Sequence, residues 1–138
     1  MCIRDRYNAL NDRLCERHGI ATSQFESLRF LRDHPDARVA DLASEFAAGV
    51  GAISKGVDRL EKQGWVVRQP NPSDRRSSLL ALTDAGVRVV EAAEETFSER
   101  LVQLLGTTLA GSSLSAVAQA LSQLRGVLER DQIGLPTG

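Results

Sequence analysis

Residues 65–82 have the sequence WVVRQPNPSDRRSSLLAL, and this stretch decides the fold of the chain. Its two ends are short β-prone runs, and the Pro, Asn and Ser between them predict two antiparallel strands joined by a loop. The loop over 68–77 is longer than most hairpin connections and has two adjacent arginines, Arg75 and Arg76, near its tip. Because a long loop with a positive tip adds little stability, we expect it to reach toward something anionic.

The segment before this hairpin, residues 39–64, predicts two short helices joined by a tight turn. The first helix covers Asp41–Phe46, and the second continues to about Gln63, where Gly64 ends it. A helix-turn-helix followed by a basic hairpin is a winged helix, a fold that commonly binds DNA. The predicted fold class is therefore mainly α with a small β-hairpin wing, with further helices appended for dimerisation.

The second helix of this unit has two different faces. Ile53, Val57 and Leu60 share one face by helical periodicity and are predicted to be buried. The opposite face, with Ser54 on its flank, is the predicted surface for the major groove of DNA, and its residues are Gly51, Lys55, Asp58, Arg59 and Lys62. A charged helix face that only contacts solvent is the alternative for this pattern.

Two helices are predicted before residue 39. Residues 7–17 are the end of one helix, which is closed by a glycine. Thr22 and Ser23 are N-cap candidates for the next helix, since Ser23 and Glu26 match the capping-box pattern, and this helix ends near His34.

Two amphipathic helices are predicted after the hairpin. Thr83 caps a long helix that begins at Asp84, a break follows at Gly111–Ser113, and a last helix has apolar residues spaced by three and four. These apolar stripes exceed what a small winged helix has left to cover. We therefore infer a homodimer, and the alternative is that both helices fold back on their own domain.

The composition indicates an ordinary globular chain of 138 residues, with 42% apolar and 25% charged residues. The net charge of −1 by itself argues against nucleic-acid binding, but the charge is unevenly distributed. Residues 38–88 hold eight basic and six acidic residues, net +2, whereas residues 89–138 hold three basic and six acidic residues, net −3. Positive charge is thus concentrated in the predicted winged helix.

Membrane and export signals are absent from the sequence. No apolar run approaches the roughly 20 residues of a membrane span, and Arg4, Asp5 and Arg6 interrupt any secretory signal. Two cysteines without such a signal indicate the reducing cytoplasm, and we expect no membrane partner. Residues 1–6 fit poorly with the rest of the first helix, and our hypothesis is that they are a scar of gene assembly or read-through.

The sequence has no catalytic constellation, so we predict that the protein is not an enzyme and has no cofactor. His18 and His34 are far from any Ser or Cys motif, and a Gly-rich phosphate loop is missing. Cys15 and His18 have a spacing that suits one helix face, but two ligands do not close a metal site. We therefore predict no metal, and packing or surface roles for these side chains.

These motifs resemble the MarR family of bacterial transcriptional regulators, and the resemblance covers nearly the whole chain. It is strongest in DLASEF and in ISKGVDRLEKQGWVVRQPNPSDRRSSLLALTDAG. The family signature combines a helix-turn-helix that ends in L-E-x-x-G-Φ-V-x-R, where Φ is aromatic or aliphatic, an Asp-Arg-Arg wing and an L-T-x-x-G helix start. The residues in register are Leu60, Glu61, Gly64, Trp65, Val66, Arg68, Asp74, Arg75, Arg76, Leu82, Thr83 and Gly86.

The resemblance implies a homodimer that binds double-stranded DNA at a pseudo-palindromic operator, with Arg75 in the minor groove. Asp74 would pair with an arginine at the wing tip, or would hydrogen-bond its own turn. Arg76 and Arg68 are expected to contact phosphate or to brace the wing. The wing residues predicted at the DNA are Arg68, Ser73, Asp74, Arg75, Arg76 and Ser77.

The resemblance also implies regulation by a small aromatic or phenolic effector, whose binding residues the sequence does not identify. Some relatives sense peroxide through a cysteine in the first helix, which would make Cys15 a thiol-based redox sensor. Arg13 and Arg17 would lower the pKa of its thiol in that case. An inert cysteine is the preferred interpretation, because the tyrosines or charges that activate such thiols are sparse here.

This sequence departs from the family at the start of the recognition helix. Gly49 stands where Ser or Thr often caps that helix, and Val50 and Gly51 stand where polar residues that contact bases are common. They favour a rival function, a winged-helix protein-interaction module that has lost DNA readout. The preferred prediction is a cytoplasmic, ligand-responsive repressor. Its expected regions are an N-terminal dimerisation helix, shortened if the scar hypothesis holds, at 1–20, the winged helix-turn-helix at 21–88 and C-terminal dimerisation helices at 89–138.

Overall fold

The structure, a computed structural model, describes residues 2–134. In that range the chain forms six helices and one antiparallel hairpin, which confirms the predicted fold class. The elements in chain order are α1 (Ile3–Glu16), α2 (Thr22–Asp33), α3 (Val39–Glu45), α4 (Val50–Lys62), β1 (Val66–Pro70), β2 (Ser78–Leu82), α5 (Asp84–Thr108) and α6 (Gly111–Arg130).

The core lies where α2, α3, α4, the hairpin and the first half of α5 meet. Each of these elements contributes at least one side chain that is almost completely removed from solvent. The largest of them are Leu28, Leu42, Leu60, Leu80, Val57, Val66 and Val90. Burial of each such side chain stabilises the fold by roughly 1.5–3 kcal/mol, so these elements form one packed unit. We call the unit formed by α2, α3, α4, β1, β2 and residues 84–93 of α5 the winged lobe.

Close backbone contacts join the hairpin to α5. The Thr83 hydroxyl donates to the carbonyl oxygen of Gly64 at 2.6 Å and accepts from the Gly86 N–H at 3.1 Å, so Thr83 caps α5 as predicted. Gly64 ends the preceding helix with a φ of +76°, a conformation that favours glycine. A Cβ atom on Gly86 would lie 2.1 Å from the carbonyl oxygen of Trp65, so only glycine fits there without a backbone shift.

The predicted start of α2 and end of α5 were wrong by a few residues. The N-cap of α2 is Ala21, not Thr22 or Ser23, and the Gln24 side chain accepts from the Ala21 N–H at 3.0 Å. Thr22 instead donates its hydroxyl to Asp12 at 2.7 Å, which ties α2 to α1. The break after α5 lies at residues 109–110, because residues 111–113 already form the first turn of α6.

The first and fifth helices run across two positions that the sequence analysis singled out. Helix α1 begins at Ile3, so residues 3–6 continue the helix predicted over 7–17, and their origin as a scar stays a prediction. Helix α5 is continuous across residue 88, and the division of the chain into regions at that residue stays a prediction. The composition of the tail over 134–138 predicts that it is frayed, but apart from Gly134 its residues lie outside the described range.

Helix α6 stands apart from the core. None of its residues is buried, and its apolar side chains stay largely in contact with solvent within one chain. The exposed fractions are 55% for Val117, 61% for Leu121, 54% for Leu124 and 38% for Leu128. Within residues 2–134 no single helix is long and apolar enough to cross a membrane, although α5 and α6, bent by 116° at their junction, pass that test as a pair.

Candidate nucleic-acid interface

The outer face of α4 is polar and open to solvent, because its inner face packs into the core. Val57 and Leu60 are buried, and Ile53 packs against the same cluster from a partly buried position. The exposed residues on the other side are Gly51, Lys55, Asp58, Arg59 and Lys62, with Ser54 partly buried on the flank. Three cations therefore project from one helix face, where they can meet an anionic surface.

The N-terminus of α4 has no side-chain cap. Its N-cap is Gly49, which has no side-chain oxygen to accept from the first N–H groups of the helix. The first turn also contains no acidic residue. These N–H groups and the positive end of the helix dipole are consequently available to an external anion. Val50, beside them, has 57% of its surface exposed.

The wing is a regular hairpin with a seven-residue loop. Its strands pair from Val66 with Leu82 to Pro70 with Ser78, so the loop comprises residues 71–77. Arg68, which we placed in the loop, lies in β1 instead. Because Arg68 sits in a paired strand, its side chain is directed by the strand and not by the loop.

Hydrogen bonds from Asn and Asp side chains fold the wing loop. Asn71 accepts from the Ser73 N–H through Oδ1 and donates through Nδ2 to the Ser77 hydroxyl, both at 3.0 Å. Asp74 accepts from the backbone N–H of Arg76 at 2.9 Å. The turn chemistry considered for Asp74 is therefore present in the loop, and the pairing of Asp74 with an arginine stays a prediction. Arg75 and Arg76 both lie exposed at this tip.

Arg68 links the wing to α4. Its guanidinium pairs with the carboxylates of Asp58, at 2.9 Å, and of Glu61, and reaches the carbonyl oxygen of Ser54 at 3.4 Å. Its backbone N–H also donates to Glu61 at 3.2 Å. These contacts match the bracing role considered for Arg68, whereas a contact with phosphate stays a prediction.

Sequence reasoning missed the part that the acidic residues of α4 play in this link. Asp58 was predicted to face DNA, and Glu61 was noticed only as part of a family motif. The signal was present in the spacing, because Ser54, Asp58 and Glu61 follow an i, i+4, i+7 pattern and so share one helix stripe. What the sequence lacked was the position of the strand residue that meets this stripe.

Cys15 is buried in α1, and His18, just after α1, contacts α5. Cys15 is 3% exposed, and burial raises the pKa of its thiol, an effect that nearby Asp12 and Glu26 reinforce. This raised pKa runs against the redox-sensor alternative, in which Arg13 and Arg17 would lower the pKa of the Cys15 thiol. His18 hydrogen-bonds the Thr96 hydroxyl through Nε2 at 2.8 Å. Within residues 2–134 no group of three or more His, Cys, Asp or Glu residues could hold a metal ion.

A cavity of about 830 Å³ separates the winged lobe from α6. One wall is a face of α2 and the end of α3, with the aromatic rings of Phe30, His34 and Phe46. The opposite wall is a face of α6. Within residues 2–134 one ion pair crosses the gap, between Arg125 of α6 and Glu45 of α3 at 2.8 Å.

The fold and this surface define the class of protein, a winged helix-turn-helix with a cationic second helix and an arginine-tipped wing. The model of the MarR family matches residues 20–78, from the start of the lobe to the first residue of β2. The chain belongs to the MarR family of transcriptional regulators.

Relatives and solved structures agree with this assignment. The multiple antibiotic resistance protein MarR of Escherichia coli is 28% identical over 121 residues, which cover 85% of this chain and 84% of that protein. YfiV of Bacillus subtilis, an HTH-type transcriptional regulator, is 31% identical over 106 residues, 77% of this chain and 66% of that protein. A crystal structure of a mutant E. coli MarR complexed with operator DNA superposes with a TM-score of 0.75 at 27% identity and covers 88% of this chain and 90% of that chain.

Proposed function

We propose that this protein is a homodimeric, sequence-specific DNA-binding repressor that acts at a pseudo-palindromic operator and responds to a small ligand. The observation that carries the proposal is the shared surface of α4 and the wing. The cations of α4 and the arginines of the wing tip lie exposed on neighbouring elements, which Arg68 holds together. Two cationic projections on one rigid lobe suit two adjacent grooves of a DNA duplex.

In this proposal α4 enters the major groove. Lys55, Arg59 and Lys62 neutralise phosphates or meet base edges, and the small residues Gly51 and Ser54 let the backbone approach. Asp58 belongs to the same face but supports it through Arg68. The uncapped N–H groups at Gly49 add a site for one phosphate.

The wing contributes Arg75 to the minor groove. A narrow minor groove has an enhanced negative potential, which attracts a guanidinium. Arg76 is proposed at the neighbouring phosphate. Asn71 and Asp74 keep the loop in a single conformation through their turn hydrogen bonds, and Ser73 and Ser77 accept or donate in those bonds.

Dimerisation is supported by the exposed apolar face of α6. A second copy would cover the apolar side chains of α6 that this chain leaves in solvent, from Val117 to Leu128. A dimer also places two recognition surfaces on one duplex, so that a pseudo-palindromic site is bound twice. Residues 1–20 and 89–138 are the proposed dimerisation regions, with 21–88 as the DNA-binding region.

The aromatic cavity between the lobe and α6 supports the proposed response to a ligand. A small aromatic molecule there would contact Phe30 and Phe46 on the lobe and Leu128 on α6. Because α6 is a proposed dimer helix and α3 precedes α4, such a ligand would change the spacing between the two α4 helices of a dimer. Repression would end when that spacing no longer fits the operator.

A second candidate function, a protein-interaction module without DNA readout, is favoured by the exposed Val50 at the start of α4. An apolar side chain at the tip of a recognition helix suits a protein surface better than a phosphate. The redox-sensing alternative has less support, because Cys15 is buried and the pKa of its thiol is raised.

The test is binding of the purified protein to the intergenic DNA upstream of its gene, beside a scrambled duplex, across a salt series. Arg75→Ala is expected to weaken binding and to make the salt dependence shallower by about one unit in log–log slope. Arg100→Ala, an exposed arginine of α5 outside the interface, is the matched control and should leave both quantities unchanged. Equal binding by both variants would favour the interaction module.

A further inference from the structure

We propose that Arg68 is a positioning residue, which holds the wing at a fixed angle to α4 and covers the negative charges of Asp58 and Glu61. It would thereby set the preference for operator DNA without touching the DNA. This inference rests on the proposed function, since it concerns how the same DNA-binding surface is held together.

The geometry of Arg68 is that of a clamp. Its guanidinium contacts α4 at Ser54, Asp58 and Glu61, which lie on one stripe that runs along the helix for about two turns. Its backbone N–H donates to the same carboxylate of Glu61, at 3.2 Å. A planar guanidinium holds several acceptors in fixed directions, whereas a lysine ammonium on its flexible stem does not.

The wing needs such a clamp, because a two-stranded hairpin is marginal on its own. Its second strand is attached to the segment before α3, because the Leu80 N–H donates to the carbonyl oxygen of Ala37 at 2.8 Å. Its first strand is attached through Arg68. With both strands held, the arginine-bearing loop stays at a fixed separation from α4.

The second effect is electrostatic. Asp58 and Glu61 lie among the cations of α4, and the Asp58 side chain is 55% exposed. Two bare carboxylates at this place would repel the phosphates that Lys55, Arg59 and Lys62 are proposed to meet. Arg68 supplies a positive charge directly against both of them, and its own side chain is only 26% exposed.

The experiment is a mutant cycle measured by DNA binding. Arg68→Ala, the double variant Asp58→Asn/Glu61→Gln and the triple combination are compared on the upstream intergenic duplex and on a scrambled duplex across the same salt series. Arg59→Ala, an exposed arginine of the same helix, is the matched phosphate-contact control. Circular dichroism and thermal unfolding verify that each variant is folded.

Under the proposal, Arg68→Ala weakens binding to the intergenic duplex tenfold or more and weakens binding to the scrambled duplex much less. It lowers the salt slope by less than Arg59→Ala does, because it uncovers two carboxylates but removes no phosphate contact. Neutralising the two acids then raises the affinity of Arg68→Ala at least threefold more than it raises that of the native protein, because they are already covered in the native protein. Arg59→Ala should instead weaken both duplexes similarly and lower the slope by about one.

Arg68→Lys keeps the charge but not the fork, so it should lose much of the preference for the intergenic duplex. The inference is wrong if the effects of Arg68→Ala and of the two acid substitutions on affinity are independent. It is also wrong if Arg68→Ala lowers the slope of affinity against salt as much as Arg59→Ala does. Either outcome would make Arg68 a phosphate contact. Near-native preference in Arg68→Lys would overturn the inference as well. A native protein without salt-dependent binding to either duplex would overturn the proposed function instead.

Discussion

The winged lobe and α6 differ in where their apolar side chains lie. In the lobe, Leu28 and Leu42 are completely buried within one chain. In α6, equally apolar side chains stay open, with Leu121 at 61% exposure. The lobe therefore contains its own core, whereas α6 is an amphipathic helix whose apolar face stays largely exposed within residues 2–134. This contrast separates the part of the molecule whose apolar side chains are buried within one chain from the part whose apolar side chains stay exposed.

The largest expected effect is the loss of the lobe core in Leu28→Ala. Removing a fully buried leucine leaves a cavity and should lower the free energy of unfolding by about 2–5 kcal/mol. The measurement is denaturant unfolding at several protein concentrations. Leu121→Ala is the matched control, and it should weaken self-association in analytical ultracentrifugation without changing the core. If Leu121→Ala costs as much as Leu28→Ala at every concentration, the contrast between the regions is wrong.

The second-largest expected effect is the loss of stability in Gly86→Ala, at the junction between the hairpin and α5. Gly86→Ala places a Cβ atom against the carbonyl oxygen of Trp65 and should cost about 1–3 kcal/mol, because the backbone must shift. Gly51→Ala, where the added Cβ meets nothing within 4 Å, is the control and should be neutral or stabilising. Thermal unfolding of both variants decides. A neutral Gly86→Ala would mean that the hairpin can move relative to α5.

Much of the lobe could be predicted from the sequence, because its signals are local. Helical periodicity identified the buried face of α4, and Gly64 and Thr83 marked a helix end and a helix start that the structure confirms. The N-cap at Ala21 was missed, because alanine has no side-chain oxygen and only the return half of a capping box, from the Ala21 N–H to Gln24, marks the helix start.

The tertiary part of the candidate site was less predictable. The exposed cations of α4 followed from periodicity, but the use of Asp58 and Glu61 by Arg68 depends on how β1 crosses α4. The environment of Cys15 was hard to predict for a related reason. The redox-sensor alternative relied on the neighbouring arginines in the sequence to lower the pKa of the thiol, whereas burial in the folded chain raises it.

A third, smaller effect tests how α5 is fastened to the lobe. Arg32 of α2 forms a two-pronged ion pair with Glu94 of α5, and its hydrogen bonds lower the pKa of Glu94 from the ordinary value of 4.5. A lowered carboxylate pKa contributes stability above that ordinary value, and the contribution disappears as the pH falls through the folded value. With both side chains about one-third exposed or less, we expect on the order of 1 kcal/mol.

The comparison of native protein with Glu94→Gln across pH measures this contribution. The difference in unfolding free energy should be constant from neutral pH down to about pH 5 and should vanish toward pH 3. Glu95→Gln, the exposed neighbour on the same helix, should show no such pH dependence. A difference that persists at pH 3 would mean that Glu94 stabilises by packing and not by charge.

The smallest expected effect is that of Arg125→Ala, which removes the ion pair between α6 and α3. The Arg125 side chain is 59% exposed and that of Glu45 33%, so solvent and salt screen the pair. The free energy of unfolding should change by less than about 0.5 kcal/mol at fixed protein concentration, and Arg130→Ala, an exposed arginine on the same helix, should match it. Such a small change is expected if the winged lobe and α6 are joined through α5 and make only weak contacts elsewhere. A loss above about 2 kcal/mol would instead place α6 inside the cooperative unit of the lobe, because only a buried or networked contact costs that much. The exposed apolar face of α6 would then no longer mark a separate region.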